Sequence, residues 1–415
     1  MLTFLKLLLP IAVLLMIEDY AYQAVKAAVK VKWVAVGYEV ISLLTFLFIV
    51  WEISQFDRSQ GQTKTSLFTL GLLLLWFLPK IVLTIILLGE DMVRFIMTIF
   101  NGVSKPGGTE LGEYIPGRRR FVSQVGLGLA AIPFLSLIYG IVKGRYDYHV
   151  IRQQVFFDDL PESFDGFTIT QISDVHSGSF DNPEKIEYAI DLINEQKSDM
   201  ILFTGDIVNT HAREMHPWID TFNKIETPAF GKYAVLGNHD YGEYVTWDSL
   251  KAKQENFEGI KDMYRQIGFT LMLNENKTIK KGDGQIALVG VENWGYKFKK
   301  AGDLKKASQG LSKDDFKILM SHDPSHWEME VKNDPMHYHL TLAGHTHGFQ
   351  FGIEIPGVVK WSPAQYFYKQ WAGLYENVGR YVYVNRGFGY LAYPGRVGIR
   401  PEITVIELKK RGNVS

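Results

Sequence analysis

Hydrophobic positions change their pattern sharply along this chain. Before residue 150 they gather into long, nearly unbroken runs, and after residue 160 into short runs divided by polar turns. Four early stretches, residues 2–17, 33–51, 66–89 and 121–142, come close to or reach the length that crosses a hydrocarbon layer as a helix, about 20 residues. They predict a transmembrane helical bundle of about four spans over residues 1–150. The first stretch is short and contains Lys6, so a signal peptide competes with a span there, although no small-residue cleavage pattern follows it. The third contains Pro79-Lys80, and the fourth a Gly-Leu-Gly-Leu-Ala-Ala patch that suits close helix packing. A Lys in a spanning segment faces the bundle interior or snorkels to the interface, and Lys80 reads first as structural, with a transport role second.

Residues 145–159 read as a short polar connection, which puts a domain boundary near residue 150 and a second region over 151–415. Within that region, apolar runs of strand character cover 167–172, 200–204, 232–236, 317–320 and 338–343, with helices expected at 183–196 and 247–267. Asp181-Asn182-Pro183 and Lys281-Gly282-Asp283-Gly284 supply turn signals. Beyond Phe349 helical pattern nearly disappears, and strand-like runs recur at 365–371, 381–384 and 403–408. The whole predicts an α/β domain whose strands, of mixed direction, pack as two sheets with helices outside.

Charge adds an orientation. Lys26, Lys30 and Lys32 follow the first apolar stretch, and Arg94, Lys105 and Arg118-Arg119-Arg120 follow the third, against Arg58, Lys64, Lys143, Arg145 and Arg152 on the other side. The cytoplasmic preference of basic residues then puts the triple Arg inside and everything after Val142 outside, as a multi-pass cell-membrane protein. Arg118 to Val122 also looks like an internal twin-arginine export signal, which predicts the same topology. With 44 basic against 45 acidic residues there is no global field to attract nucleic acid, and no basic stripe with interleaved aromatics, so no nucleic-acid partner is expected. Cysteine is absent, which excludes disulfides and thiolate metal sites.

The chemistry lies in five clusters: Asp174-Val175-His176, Gly205-Asp206, Gly237-Asn238-His239-Asp240, Ser321-His322-Asp323 and Gly344-His345-Thr346-His347. Each follows a strand-like run. Carboxylates, an amide and imidazoles held at successive strand ends form a ligand kit for two adjacent metal ions on the rim of a sheet. In extended backbone the one-residue spacing of Asp174 and His176 aims both side chains to one face. Asp206 offers two oxygens that can bridge cations about 3.5–4 Å apart. Each fragment alone is a common turn or surface motif, and their joint order carries the inference.

In that order the chain resembles the calcineurin-like metallophosphoesterase superfamily, over about residues 160–410, and its membrane-associated bacterial branch in Ser321-His322-Asp323-Pro324, Gly344 to Gly348, Asn385-Arg386-Gly387 and Pro401-Glu402-Ile403-Thr404. Phe349 departs from that branch, which often has a second Gly there. The resemblance implies a two-sheet α/β/β/α sandwich and two divalent metal ions, Mn, Fe or Zn. It assigns Asp174, His176, Asp206 and His347 to one ion and Asp206, Asn238, His322 and His345 to the other, with Asp206 shared. It further implies hydrolysis of a phosphodiester or phosphomonoester, with His239 protonating the leaving oxygen. For a chain anchored in the bilayer, a lipid head group or an envelope component is a substrate within reach.

Lesser candidates are His211 and His216, which could line the pocket but suit a surface loop, and His337 and His339, which read as structural. Arg386 and Arg396 are candidates for bidentate phosphate contacts, with a salt bridge as the equal reading for Arg386 and the phosphate role weaker for Arg396. The aromatic stretch 361–371 is a candidate lip facing lipid or substrate, with strand packing as the ordinary reading. The alternative function is a catalytically silent binding or regulatory membrane protein of the same fold, and a sensor or transporter built on Lys80 is a third.

Overall fold

A computed structural model describes residues 2–29, 31–104, 116–355 and 357–412. The chain divides into two compact units, residues 1–56 with 68–139, and residues 57–67 with 140–415.

The first unit is helical. It draws on α1 (Leu2–Ala28), α2 (Lys32–Ser54), α3 (Lys64–Ser104) and α4 (Pro116–Val142). Among the described residues, three segments are long and apolar enough to cross a membrane: Lys32–Ser54, Lys64–Phe100 and Gly117–Val142. The apolar stretch 2–17 lies in α1, whose side chains through residue 11 fall outside the described residues, as do Lys30 and Lys105. Small residues set the packing, with Ala21 and Ala24 buried against Leu83, Leu87 and Ala130. Lys80 is buried in this bundle, 2.5 Å from Glu18 Oε1 and 2.7 Å from Ser42 Oγ, with its ammonium 4.3 Å from the centre of the Trp76 ring. The ion pair and the indole face replace the hydration that a lone ammonium would lose.

The second unit is a two-sheet α/β/β/α sandwich. Its strands are β1 (His149–Phe157), β2 (Thr168–Ile172), β3 (Met200–Phe203), β4 (Lys232–Ala234), β5 (Thr270–Leu271), β6 (Glu275–Lys281), β7 (Gly284–Gly290), β8 (Lys317–Met320), β9 (Leu340–Ala343), β10 (Ile353–Ile355), β11 (Val359–Trp361), β12 (Gly373–Asn377), β13 (Arg380–Val384) and β14 (Glu402–Lys410). One sheet runs β1-β14-β2-β3-β4-β5, the other β12-β13-β9-β8-β7-β6, and β10 and β11 form a separate two-stranded ribbon. The central strands β2, β3 and β4 are mutually parallel, as are β7, β8 and β9.

Alternation along these strands assigns each side chain to a layer. Ile169, Met200, Leu202, Ile318, Met320, Leu340 and Leu342 meet between the sheets. Ile172, Ile201, Phe203 and Ala234 face the other way, onto α5 (Pro183–Glu195), α6 (Ile219–Phe222) and α7 (Leu250–Gln266). Leu319, Ala343, Val382 and Val384 cover the far face of the second sheet, with Leu304 and Ala307 of α8 (Leu304–Ala307) and Trp327 of α9 (Ser325–Met329). Strands buried on both faces explain why the sequence shows continuous apolar runs there.

Two expectations are corrected. Residues 145–159 are not merely a polar connection, because β1 occupies nine of them and pairs in parallel with β14 along its whole length. It is an edge strand whose polar, largely exposed middle, Arg152-Gln153-Gln154, interrupts the apolar run and hides the strand. The strand-like run 365–371 contains no strand. Ser362 Oγ accepts the Ala364 N–H at 3.1 Å and Pro363 follows it, starting a single 3₁₀ turn over Pro363–Tyr366.

Candidate metal centre

The five clusters come together at the carboxyl ends of parallel strands: Asp174 and His176 just after β2, Asp206 after β3, Asn238 after β4, His322 after β8, and His345 and His347 after β9. A parallel sheet gathers such loops at one edge, where ligand sites form. Backbone bonds tie the loops together: Asp174 N–H donates to Gly205 O at 2.9 Å, His176 N–H to Asp206 O at 3.1 Å, and Gly344 N–H to His322 O at 2.9 Å.

Local backbone explains the glycines beside the ligands. A β-carbon on Gly205 would stand 2.5 Å from the Gly237 nitrogen, one on Gly237 2.2 Å from Asp206 Oδ1, and one on Gly344 2.3 Å from Asp174 Oδ2. Asp174, His176, Asp206, His345 and His347 all have left-handed backbone, with φ of 54°, 48°, 62°, 71° and 51°. Non-glycine residues held there store strain, and such strain concentrates at functional sites.

The side chains fall into two groups of potential ligands, Asp174, His176 and His347, and Asp206, His322 and His345, with the donor atoms of each group within 4.8 Å of one another. His176 Nε2 lies 3.0 Å from His347 Nε2, which is 3.2 Å from Asp174 Oδ1. Asp206 Oδ2 lies between the groups, 3.1 Å from His322 Nε2 and 3.7 Å from His176 Nε2. Asn238 Oδ1 is 2.7 Å from His345 Nδ1. His322 Nδ1 donates to Thr204 O at 2.6 Å, so its Nε2 is turned inward, toward Asp206. Lone pairs converging on lone pairs, with few donors between them, are the donor set of divalent cations.

Electrostatics agree. Burial alone would raise Asp174, but His347 and His322 beside it hold its pKa well below the usual carboxylate value, and His322 and His239 do the same for Asp206. Burial opposes protonation of His322, yet Asp206 and Asp174 outweigh it and lift the imidazole to about 10. Burial lowers His176, His239 and His345. The site attracts positive charge.

His239 donates from Nδ1 to Asn209 O at 2.7 Å and stacks on Tyr244 with ring centres 4.4 Å apart. It borders a cavity of about 410 Å³ also lined by His176, Asp206, His345 and His347, with Phe298, Phe349, Tyr368 and Tyr393 forming an apolar mouth.

Asp240 and Tyr244 had no role assigned from sequence, and Tyr368 only a place in the candidate lip. Buried Asp240 accepts the N–H groups of Asp206, Ile207 and Gly237 at 3.0, 3.0 and 2.9 Å and the Tyr264 hydroxyl at 3.0 Å, joining two ligand loops. Burial and the nearby Asp206 raise its pKa to about 7. Tyr244 and Tyr368 contact Asn238 Nδ2 at 2.6 Å and His345 Nε2 at 2.8 Å. A buried Asp beside Gly-Asn-His was the only available signal.

Of the readings open for the two arginines, the structural one holds. Arg386 is clamped between Glu402 and Glu354, each 2.5 Å away, and Arg396 is buried, donating to the carbonyls of Gly387 and Gly389 at 3.1 and 2.5 Å behind His347. Neither has a face left for phosphate. His211 is buried against Trp247 rather than on the surface, and His216 is exposed at the start of a 3₁₀ turn over His216–Trp218. His339 is a structural link between Lys317 and Asp159.

Residues 167–349 match the family described as calcineurin-like phosphoesterase, and residues 4–145 the family described as probable calcineurin-like phosphoesterase, transmembrane domain. The uncharacterized metallophosphoesterase YkuE of Bacillus subtilis is 33% identical over 63% of this chain and 84% of its own length. The phosphodiesterase YaeI of Escherichia coli is 28% identical over 70% of this chain and 98% of its own. A transmembrane protein with metallophosphoesterase domain from Danio rerio is 25% identical over 77% and 71%. The chain belongs to the calcineurin-like metallophosphoesterase family, whose members use divalent metals, and it carries that family's transmembrane domain.

Proposed function

We propose that this protein is a membrane-anchored hydrolase of phosphodiesters or phosphomonoesters, with residues 1–150 as its anchor and 151–415 as its catalytic part. The observation that carries the proposal is the meeting of two ligand groups at one strand edge with Asp206 Oδ2 between them. Asp174, His176, Asp206 and His347 would hold one divalent cation and Asp206, Asn238, His322 and His345 a second, each Mn, Fe or Zn. Bound there, the cations supply Lewis acidity, acidifying water and neutralising charge on phosphoryl oxygens. Thr204 fixes the His322 tautomer, and Asp206, held through Oδ1 by the His239 N–H at 2.8 Å, keeps Oδ2 free. With Nδ1 pinned to Asn209, His239 turns Nε2 to the cavity. Water oxygen attacks phosphorus and gives its proton to solvent as the bond to the leaving oxygen breaks, and His239, when it has taken a solvent proton on that Nε2, passes it to the departing alkoxide and returns to the neutral ring.

An extracytoplasmic catalytic part fits the positive-inside asymmetry. The connection between α2 and α3 goes with it to the same side: residues 57–67 belong to the same compact unit as the catalytic part. Gln62 Oε1 accepts the Ala392 N–H there at 2.7 Å.

Purified full-length protein loaded with Mn should hydrolyse bis-p-nitrophenyl phosphate, and Asp206→Ala should abolish turnover while the exposed Lys251→Ala keeps it. Undiminished turnover in Asp206→Ala would sink the catalytic reading.

A further inference from the structure

The ribbon of β10 and β11 has its faces reversed. Ile353 pairs with Trp361 and Ile355 with Val359, while Glu354 pairs with Lys360 on the opposite face. An ordinary half-exposed ribbon turns its apolar face inward. Here the polar face turns in: Glu354 binds Arg386 at 2.9 Å, and the Lys360 ammonium bonds Ala372 O and lies 5.1 Å from the centre of the Trp371 ring. The apolar face turns out, with Ile353 and Ile355 52% and 51% exposed and Val358 beyond them 79%.

This exposed surface runs on to the metal centre. Tyr366 and Phe367 are 73% and 71% exposed, and Phe367 lies 5.3 Å, centre to centre, from Phe349, which lines the cavity. The root of the ribbon also leads to the C-terminal end of α4, which from Gly140 onward belongs to the same unit as the ribbon. Gly352 N–H donates to Val397 O at 2.9 Å, and the neighbouring Arg396 N–H donates to Gly140 O at 3.2 Å. Gly140 lies in the last turn of α4, inside the candidate span Gly117–Val142. Two hydrogen-bonded steps therefore connect the ribbon to the end of a membrane helix.

We propose that the outer face of this ribbon, with Tyr366 and Phe367, lies in the interfacial layer of the bilayer, and that the cavity beside it takes an amphiphilic phosphate ester whose acyl chains remain in the membrane. The substrate class rests on the hydrolase reading, whereas the immersion of the ribbon does not. Indole, phenol and aliphatic groups are the side chains that settle at this depth. The ribbon's one Lys is turned back onto the protein, so zwitterionic lipid suffices and no anionic head group is required. A lipid phosphate at the interface reaches the ligand groups past Phe349 without its chains leaving the apolar track.

The chain has no cysteine, so a single Val358→Cys can carry an environment-sensitive fluorophore in the full-length protein, reconstituted in phosphatidylcholine nanodiscs. Blue-shifted emission, quenched by nitroxide-labelled phosphatidylcholine and spared by a water-soluble quencher, is expected, with the reverse for the same label at Lys251→Cys on α7. Emission at Val358→Cys matching the Lys251→Cys site overturns the immersion. For the substrate class, Val358→Asp should lose activity several-fold on dioleoylglyceryl p-nitrophenyl phosphate in the nanodisc while soluble bis-p-nitrophenyl phosphate turnover stays unchanged. Equal loss on both esters, or no loss on the lipid, overturns it. A wild-type protein inactive on both refutes the substrate class together with the hydrolase reading, and the quenching result still decides immersion.

Discussion

A residue such as Asp206 is legible in a sequence by type and neighbours, because a carboxylate after Gly at a strand end has few other uses when four more such clusters accompany it. Its backbone is not. The positive φ shared by five of the seven proposed ligands depends on which loops press on it, and only the glycines at 205, 237 and 344 hinted at that crowding. Asp240 was missed for a similar reason: its four hydrogen bonds come from residues as far off as Asp206 and Tyr264. The arginines stayed open in the sequence because a guanidinium suits a carboxylate as well as a phosphate, and nothing in the order of residues pairs Arg386 with Glu354 and Glu402. At this scale His239 separates chemistry from metal binding, since its Nδ1 is occupied by Asn209 and it sits in neither ligand group. His239→Gln should lower turnover about 10²–10⁴-fold with metal content unchanged, measured by steady-state rates and elemental analysis on the same sample. Loss of metal with the rate would reassign His239 to the ligand shell.

At the scale of elements, the buried central strands and the capped helices were readable. Asn182 accepts the Lys185 N–H and Ser249 the Ala252 N–H, both at 3.1 Å, so the starts of α5 and α7 are marked in the sequence itself. β1 and the β10–β11 ribbon were not readable, one because polar residues interrupt its apolar run and the other because its amphipathicity is inverted. His339 shows how two elements are locked. The Lys317 N–H donates to its Nδ1 at 3.0 Å, and its Nε2 bonds Asp159 at 2.7 Å, so the neutral ring is fully satisfied. Burial outweighs Asp159 and lowers its pKa from 6.5 to about 4. The folded state therefore binds fewer protons than the unfolded one between those values. Stability present at neutral pH is lost as pH falls from 6.5 toward 4, by an amount on the order of 2–3 kcal/mol. Thermal unfolding in detergent should show the drop between pH 7 and pH 4.5, and His339→Asn, which keeps an acceptor near the Nδ1 position, should flatten it. An unchanged drop in the variant would assign the acid sensitivity elsewhere.

For the whole molecule, the near balance of charge and the switch from long to short apolar runs revealed a membrane-embedded part followed by a two-sheet enzyme-like part. Which loops join which unit was hidden, because residues 57–67 look like any polar connection between spans yet pack with residues 140–415. That membership and the proposed immersion of the ribbon belong to one account. Its central claim is that two cations share the cluster around Asp206. Elemental analysis of the full-length protein, loaded with Mn and freed of loosely bound ions, should find about two ions per chain in the wild type and clearly fewer in Asp206→Ala. A wild-type value below one ion per chain would contradict the claim.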